Sequence, residues 1–329
     1  MESQRATATA RLKEASLAAT GIRLMRFEIL EGAVSTSPGA HLTFEMQLKD
    51  GLATRSYSVV DDGMAPELIT VAVKLEDPGR GGSRHMWSLE PGDEIKIIES
   101  SNSMPVSFDR RNYLVVAGGI GITPMTAIIA ALRSSGRAVR MVYCARSREH
   151  AAFHDRLSSL LGDGLVMHYD AESGFLDVEA LVSGVEPGTQ VYICGPIGMM
   201  NAIKAAWAAR GLPAHDLRYE TFANSGTERS QPFDVTVVET GQTVHVEAQQ
   251  TLLDALVKSG HEVMYECLKG ECGLCKLEVT QADTGIDHRD VFLSEREKAS
   301  GESLCACVSR FAGGHAHVRI DGISHGPTG

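Results

Sequence analysis

The chain has 329 residues, is 43% hydrophobic and carries a formal charge of −11 at pH 7. That length allows two or three independent cores, and so acidic a balance argues against nucleic acid or an anionic membrane as partner. No apolar run approaches the roughly 18 residues of a membrane span, and "MESQRATATARLKEA" at the N-terminus lacks the apolar stretch of a secretory signal. The seven cysteines cluster late without disulfide-like regularity. A reducing, cytoplasmic compartment is expected, where grouped cysteines bind metal more often than they pair. Residues 231–329 hold eight Lys/Arg against fifteen Asp/Glu. A solvated acidic face accounts for this, with a docking surface for a basic partner as the alternative.

From about residue 8 to 105 the pattern is of short alternating runs. "HLTFEMQL", "TRSYSVV", "LITVAVKL" and "DEIKIIES" are separated by turn-rich pieces such as "SPGA", "DDGMAPE" and "EPGD". Period-two alternation at this spacing predicts an antiparallel barrel or sandwich. The grammar changes at "NYLVVAGGIGITPMTAIIAALRSSGRAVRMVYCAR", where an apolar strand meets a glycine turn, a helix and another strand. The cycle continues through "AAFHDRLSSLL", "LVMHYD", "VEALVSG", "QVYICGP", "GMMNAIKAAWAARG" and "DLRYETF". Alternating β and α elements imply a parallel, doubly wound sheet over about 110–222. "ANSGTERSQP", residues 223–232, has linker composition. Beyond it, "FDVTVVET-GQ-TVHVEA" predicts a hairpin, "TLLDALVKSG" and "HRDVFLSEREKA" helices, and "LCACVSR" and "HVRI" strands. The last hundred residues thus form a small α+β module.

Within this module Cys267, Cys272 and Cys275 are spaced C-x4-C-x2-C. Plant-type ferredoxins use that spacing, with a distant fourth cysteine, to hold a [2Fe–2S] cluster. Gly270 and Gly273 suit a loop that must wrap two irons and bring backbone N–H groups near sulfur. Structural zinc more typically takes two separated C-x2-C pairs. Two residues compete for the fourth position, Cys305 and Cys307. Both lie on one predicted strand, facing the same way, so alternation does not separate them. Cys144, on a predicted buried strand, reads as a small apolar residue.

Three further stretches offer ligand chemistry. "RSYS", Arg55 to Ser58, has a guanidinium for phosphate, an aromatic face and a hydroxyl, a set suited to a flavin. Alone, an Arg and a Tyr on a strand are ordinary. "GRGGS", Gly79, Arg80, Gly81, Gly82 and Ser83, offers bare backbone N–H groups beside a cation, a phosphate nest; a flexible hairpin is the bland alternative. "AGGIGITPM" follows a strand and opens a helix, as phosphate binding requires. Thr123 and Pro124 replace the later glycine of G-x-G-x-x-G, so the dinucleotide is expected to bind differently from a standard Rossmann enzyme. "CGP", Cys194 to Pro196, ends another strand on the same carboxyl edge.

RxYS, GGxGxTP, CGP and a C-terminal plant-type ferredoxin, in that order, resemble the phthalate dioxygenase reductase family, which includes vanillate O-demethylase reductases. The resemblance spans nearly the whole chain. It implies a flavin-binding β-barrel over 1–108, an NAD-binding α/β domain over 109–222, a linker over 223–232 and a ferredoxin-like (β-grasp) domain over 233–329. It implies FMN, NADH and [2Fe–2S] as cofactors and a Rieske-type non-haem iron oxygenase as electron acceptor. Arg55, Ser56, Tyr57 and Ser58 would hold flavin, with Ala72, Val73 and Lys74 lining its site and Gly79–Ser83 at its phosphate. Gly118, Gly119, Gly121, Thr123, Pro124, Cys194, Gly195 and Pro196 would serve the nicotinamide nucleotide. Ser58, Thr123 and Cys194 would flank the hydride path, and Phe222 would cover the flavin face. Among the cysteines it implies Cys307 as fourth ligand, because the family cysteine precedes a pattern like Val308–Ser309–Arg310. One departure stands out. Arg146 and Arg148 in "ARSREH" occupy the place of the acid that selects a free ribose, and arginine there favours a 2′-phosphate. The alternatives to this reading are a reductase for a P450 or a corrinoid demethylase, and a non-catalytic redox sensor.

Overall fold

The structure, a computed structural model, describes residues 7–34, 36–49, 51–61, 63–64, 67–77, 79–222, 231–248 and 250–320. Two compact units emerge, Met1–Glu220 and Thr221–Gly329. Most of the expected linker, 223–230, lies outside the described residues.

The first unit opens with six antiparallel strands, β1 (Ala8–Ala19), β2 (Ile22–Glu31), β3 (His41–Leu48), β4 (Gly51–Ser58), β5 (Ile69–Lys74) and β6 (Glu94–Ser101), with helix α1 (Gly82–Ser88) between the last two. Their order is β4-β3-β6-β1-β2-β5. The outer strands approach each other just past β4, where Val59 bridges Val71 and the Val60 amide bonds to the Thr70 carbonyl at 2.9 Å. Closure of this kind makes a barrel, not a sandwich. Its interior is filled by Leu12, Phe27, Leu42, Phe44, Met86 and Ile97, none exposed, each contributing about 1.5–3 kcal/mol of apolar transfer. The β1–β2 hairpin, which holds the two longest strands, turns at Thr20–Gly21, where Gly21 takes φ 70°.

Five parallel strands follow: β7 (Asn112–Gly118), β8 (Ala138–Ala145), β9 (Leu165–Tyr169), β10 (Gln190–Cys194) and β11 (Leu217–Glu220). Between them lie α2 (Ile122–Ser134), α3 (His154–Leu161), α4 (Asp170–Ser173), α5 (Val178–Ser183) and α6 (Ile197–Ala209). The order β11-β10-β7-β8-β9 reverses direction at β7. The chain leaves β7 toward β8 on one side, while β10 lies on the other. A crevice at such a switch point is where ligands of these sheets bind. Barrel and parallel sheet share one unit and are joined by specific bonds. The Asp61 amide donates to Thr126 Oγ1 at 3.0 Å, and Arg156 meets the Asp61 carboxylate at 3.2 Å.

The second unit contains β12 (Phe233–Val237), β13 (Thr243–Val246), α7 (Leu252–Lys258), β14 (Lys276–Ala282), β15 (Ile286–Asp287), α8 (Glu295–Ser300), β16 (Ser303–Cys305), β17 (Arg310–Phe311) and β18 (His315–Arg319). Its main sheet runs β13-β12-β18-β14-β16, with β12 and β18 parallel in a β-grasp. Two expectations are corrected. "HRDVFLSEREKA" is helical only over Glu295–Ser300, because the Val291 and Phe292 amides bond to the Gly270 carbonyl at 3.0 and 3.1 Å. "LCACVSR" is not one strand. β16 stops at Cys305, and the Val308 and Ser309 amides turn back to the Cys305 carbonyl.

Candidate functional site

The barrel brings RSYS and GRGGS together. Arg55, on β4, donates from Nη2 to the Arg80 carbonyl at 2.9 Å and from Nη1 to the Thr54 carbonyl at 2.7 Å. Gly82 is needed for that approach: a Cβ there would stand 2.5 Å from Arg55 Cγ. Ser83 Oγ accepts from the Glu76 amide at 3.1 Å, so its hydroxyl shapes the loop around Gly79 and Gly81. Ser56 is exposed and shares a 3.0 Å hydrogen bond with Thr43. Tyr57, half-buried, stands 5.9 Å ring to ring from Phe44, and burial pushes its phenol pKa up against the weaker pull of Arg55. On the neighbouring face Ala72 and Val73 are buried and Lys74 is exposed. The Val73 carbonyl accepts from the Trp87 indole at 2.9 Å. Ser58 is 4% exposed, and its Oγ has no hydrogen-bond partner among the described residues. A buried hydroxyl is rarely left so, and a flavin's polar ring edge would satisfy it. The residues present therefore fit the group.

The nucleotide motifs meet at the switch point. β7 and β10 pair in parallel with Ala117 beside Cys194, so the turns that follow them lie side by side. They touch at glycine. A Cβ on Gly121 would sit 2.2 Å from the Cys194 carbonyl oxygen, and one on Gly118 would sit 2.5 Å from Pro196 Cδ. Gly195 is confined in turn, its added Cβ falling 2.9 Å from the Gly118 nitrogen. Gly119 has φ 53°, a left-handed turn that glycine adopts without strain. Thr123 and Pro124 open α2 and are buried. The Thr123 hydroxyl donates to the Ile120 carbonyl at 2.9 Å, tightening the glycine turn. Cys194 is wholly buried. Beyond β8, Arg148 makes a two-point ion pair with Glu172, at 3.1 and 3.3 Å, and lies over the Tyr169 ring. Arg146 is exposed. Cys144 is buried, and burial pushes its thiol up to about 12, which leaves it unreactive.

The cysteine loop is built around its sulfurs. The amides of Lys269, Glu271 and Cys272 all point at Cys267 Sγ, each at 3.4 Å. A hydrogen bond from Cys307 together with these amides shifts the Cys267 thiol down, against the opposing effect of burial. Hydrogen bonds from Cys305 and Cys307 shift Cys275 down as well. Cys272 is shifted up, by burial first. The three N–H groups aimed at Cys267 Sγ favour its thiolate, the form that ligates iron. The loop needs its glycines: Gly270 and Gly273 have φ 73° and 76°, and a Cβ on Gly273 would fall 2.2 Å from the Phe292 ring. Cys307 contacts both Cys267 and Cys275, whereas the Cys305 hydrogen bond is to Cys275. Ser309 and Arg310, the "SR" after Cys307, are buried braces. Ser309 donates to Asp290 at 2.9 Å, and Arg310 donates to the Gln231 and Glu247 carbonyls at 3.0 Å.

Two groups of residues were not visible in the sequence motifs. Thr221 donates its amide to Glu271 and its hydroxyl to the Lys269 carbonyl, both at 2.7 Å. Phe222, half-buried, directly follows this residue, which is fastened to the cysteine loop. Where the barrel meets strand β11, His41, Ser101 and Glu220 form a buried polar cluster. The one sequence signal for it is a titratable residue opening the apolar strand "HLTFEMQL".

Comparison with known proteins gives these sites a family. Residues 235–312 match the 2Fe-2S iron-sulfur cluster binding domain and 115–205 the oxidoreductase NAD-binding domain. The chain is 33% identical over 294 residues to the heme-dependent oxidative N-demethylase beta subunit of Ectopseudomonas mendocina, covering 89% of this chain and 92% of that protein. It is 31% identical over 278 residues to the carnitine monooxygenase reductase subunit of Acinetobacter baumannii, covering 84% and 86%. Among solved structures it resembles phthalate dioxygenase reductase, described as a modular structure for electron transfer from pyridine nucleotides to [2Fe-2S]. The two share a TM-score of 0.73 and 27% identity, over 95% of this chain and 97% of that one. The chain belongs to this reductase family. It is an NAD(H)-dependent oxidoreductase that moves electrons to a [2Fe–2S] cluster.

Proposed function

We propose that this chain is the reductase of a Rieske-type non-haem iron oxygenase, to which it delivers the electrons of NADH one at a time. The single observation that carries the reading is the convergence of four separate motifs into three cofactor sites. When bound, FMN supplies the step between a two-electron hydride donor and a one-electron cluster. The chain's residues do the rest. Arg55 and the Gly79–Ser83 loop, with Arg80, hold the flavin phosphate. Ser56, Tyr57, Ala72, Val73 and Lys74 line its ring, and Ser58 bonds its polar edge. Gly118, Gly119, Gly121 and Pro124 seat the nucleotide with Gly195 and Pro196, Arg146 lies at its ribose, and Thr123 and Cys194 flank the hydride path. Phe222 covers the flavin. Cys267, Cys272, Cys275 and Cys307 ligate the cluster.

The corresponding domains are 1–108, 109–222 and 233–329, with 223–232 as linker. The acidic balance argues against nucleic acid as partner, and among the described residues no helix is long and apolar enough to cross a membrane. The test is cofactor analysis followed by electron delivery. One flavin and two irons per chain are expected, with NADH-dependent turnover of a purified Rieske oxygenase encoded beside it. Flavin that chromatographs as FAD overturns the FMN assignment, and zinc in place of iron overturns the cluster. A second reading has support as well. The relative named a heme-dependent demethylase subunit points to a haem acceptor, and faster reduction of a haem partner than of the Rieske protein would establish it.

A further inference from the structure

A nucleotide enters and leaves at the carboxyl edge of the parallel sheet, while electrons are stored at the cysteine loop. None of the sequence motifs joins the two places: RSYS, GGxGxTP and CGP lie in the first unit and the cysteine spacing in the second.

Thr221 does join them. A peptide bond ties it to Glu220, which ends β11 level with Cys194 on that carboxyl edge. Thr221 itself is 3% exposed and fastened to the cysteine loop. Its amide donates to Glu271 Oε1 and its hydroxyl to the Lys269 carbonyl, both at 2.7 Å. The hydroxyl also lies 2.9 Å from the same Glu271 oxygen. These two residues attend the sulfur as well, for the Lys269 and Glu271 amides are the ones aimed at Cys267 Sγ. One residue's backbone thus separates each Thr221 bond from an N–H···S bond. The segment between them has little room to absorb movement. The Gly270 carbonyl accepts from the Val291 and Phe292 amides, and a Cβ on Gly270 would stand 2.6 Å from Val308 Cγ2. Leu268 is held at φ 54°, a left-handed conformation that a leucine keeps only where its surroundings impose it.

Hydrogen bonds to the sulfurs help to set the reduction potential of an iron–sulfur cluster. They strengthen as the acceptor gains negative charge, so they differ between the oxidised and reduced states. We propose that Thr221 is a positioning residue that couples nucleotide binding to the potential of the cluster. This rests on the reading above, which seats the nucleotide at the turns after β7 and β10 and the cluster on Cys267. Nucleotide at the edge shifts the end of β11, Thr221 carries the shift to Lys269 and Glu271, and their N–H groups change their hold on the sulfur. Such coupling is reciprocal. The affinity for nucleotide therefore changes by the same factor when the cluster takes up its electron, and nucleotide exchange follows the state of the cluster.

The test is a reductive titration of the full-length, cofactor-loaded protein followed by EPR, with and without 1,4,5,6-tetrahydro-NAD, a nucleotide that cannot give hydride. A difference of about tenfold in affinity for this analogue between the two cluster states is expected, read as a shift of about 59 mV in the cluster's midpoint. Thr221→Ser keeps the hydroxyl and should keep the shift. Thr221→Val has the same shape without the hydroxyl, and should bind the analogue with less than a twofold difference between the states. A native midpoint that the analogue does not move overturns the proposal. So does a full shift in Thr221→Val, which would assign the effect to the nucleotide's charge acting through space. Should Thr221→Val not load its cluster, Glu271→Ala removes the acceptor of the Thr221 amide, and a lost or a full shift there decides in the same way. Flavin, iron and analogue binding are measured first on the native protein, so a missing cofactor or an analogue that does not bind overturns the cofactor reading instead.

Discussion

Cys305 and Cys307 stand two positions apart, and the fold gives them different surroundings. Cys307 is hydrogen-bonded to two thiols of the loop, Cys267 and Cys275. Cys305 shares the apolar core with both Cys275 and Cys307, and its hydrogen bond is to Cys275. Cys307→Ser is therefore expected to destroy or markedly shift the cluster's visible and EPR spectra, and Cys305→Ser to leave them nearly unchanged. The reverse pattern would give the ligand role to Cys305. The arginines after β8 invite a similar comparison. Glu172 neutralises Arg148, which leaves exposed Arg146 to meet a 2′-phosphate. Arg146→Ala should lower kcat/KM for NADPH by about tenfold, roughly 1.4 kcal/mol, with less than a twofold effect for NADH. Equal losses with both nucleotides would mean that Arg146 contacts a part common to the two.

At the scale of elements, α8 carries a pH dependence of its own. The Ser294 hydroxyl accepts from the Glu297 amide at 3.3 Å, and the Glu297 carboxylate accepts from the Ser294 amide at 2.9 Å, a capping box. The Ser294 amide and hydroxyl, aided by Lys276, hold Glu297 down from 4.5 to about 2. A carboxyl depressed in the folded state stabilises it fully above its unfolded value and loses that contribution as pH falls through the folded one. The amides of 295–300 should thus lose hydrogen-exchange protection between about pH 4.5 and 2. Ser294→Ala should weaken them at neutral pH and flatten the dependence. What the sequence revealed of such elements followed their range. The cysteine spacing and the glycine turns were legible because their geometry is local. The helix foreseen from His288 fails because its first amides serve Gly270, about twenty residues earlier. Strand alternation alone is common to barrel and sandwich; the Val59–Val71 bridge, which closes the barrel, is a long-range contact. The His41–Glu220 pair spans most of the first unit, and no local pattern announces it.

For the whole molecule, the division at Glu220 and Thr221 indicates where function separates. Truncation after Phe222 should leave a flavoprotein that oxidises NADH with ferricyanide yet cannot reduce cytochrome c or an oxygenase. Unchanged oxygenase turnover would disprove transfer through the cluster. The same cut removes Lys269 and Glu271 and so releases Thr221. Flavin fluorescence of the truncated protein should therefore differ from that of a cluster-free full-length Cys307→Ser chain, if Phe222 covers the ring.

The abutting turns after β7 and β10 also bear on how such reductases are recombined. With Gly121 and Gly118 pressed against Cys194 and Pro196, each turn is the mould of the other across some seventy residues of sequence. Chimeras of two homologous reductases inherit both turns from one parent when the crossover falls near residue 105 or 225. A crossover between 125 and 190 joins turns that were never fitted together. The first kind should yield folded, NADH-reducible protein more often than the second, even where the second exchanges fewer residues.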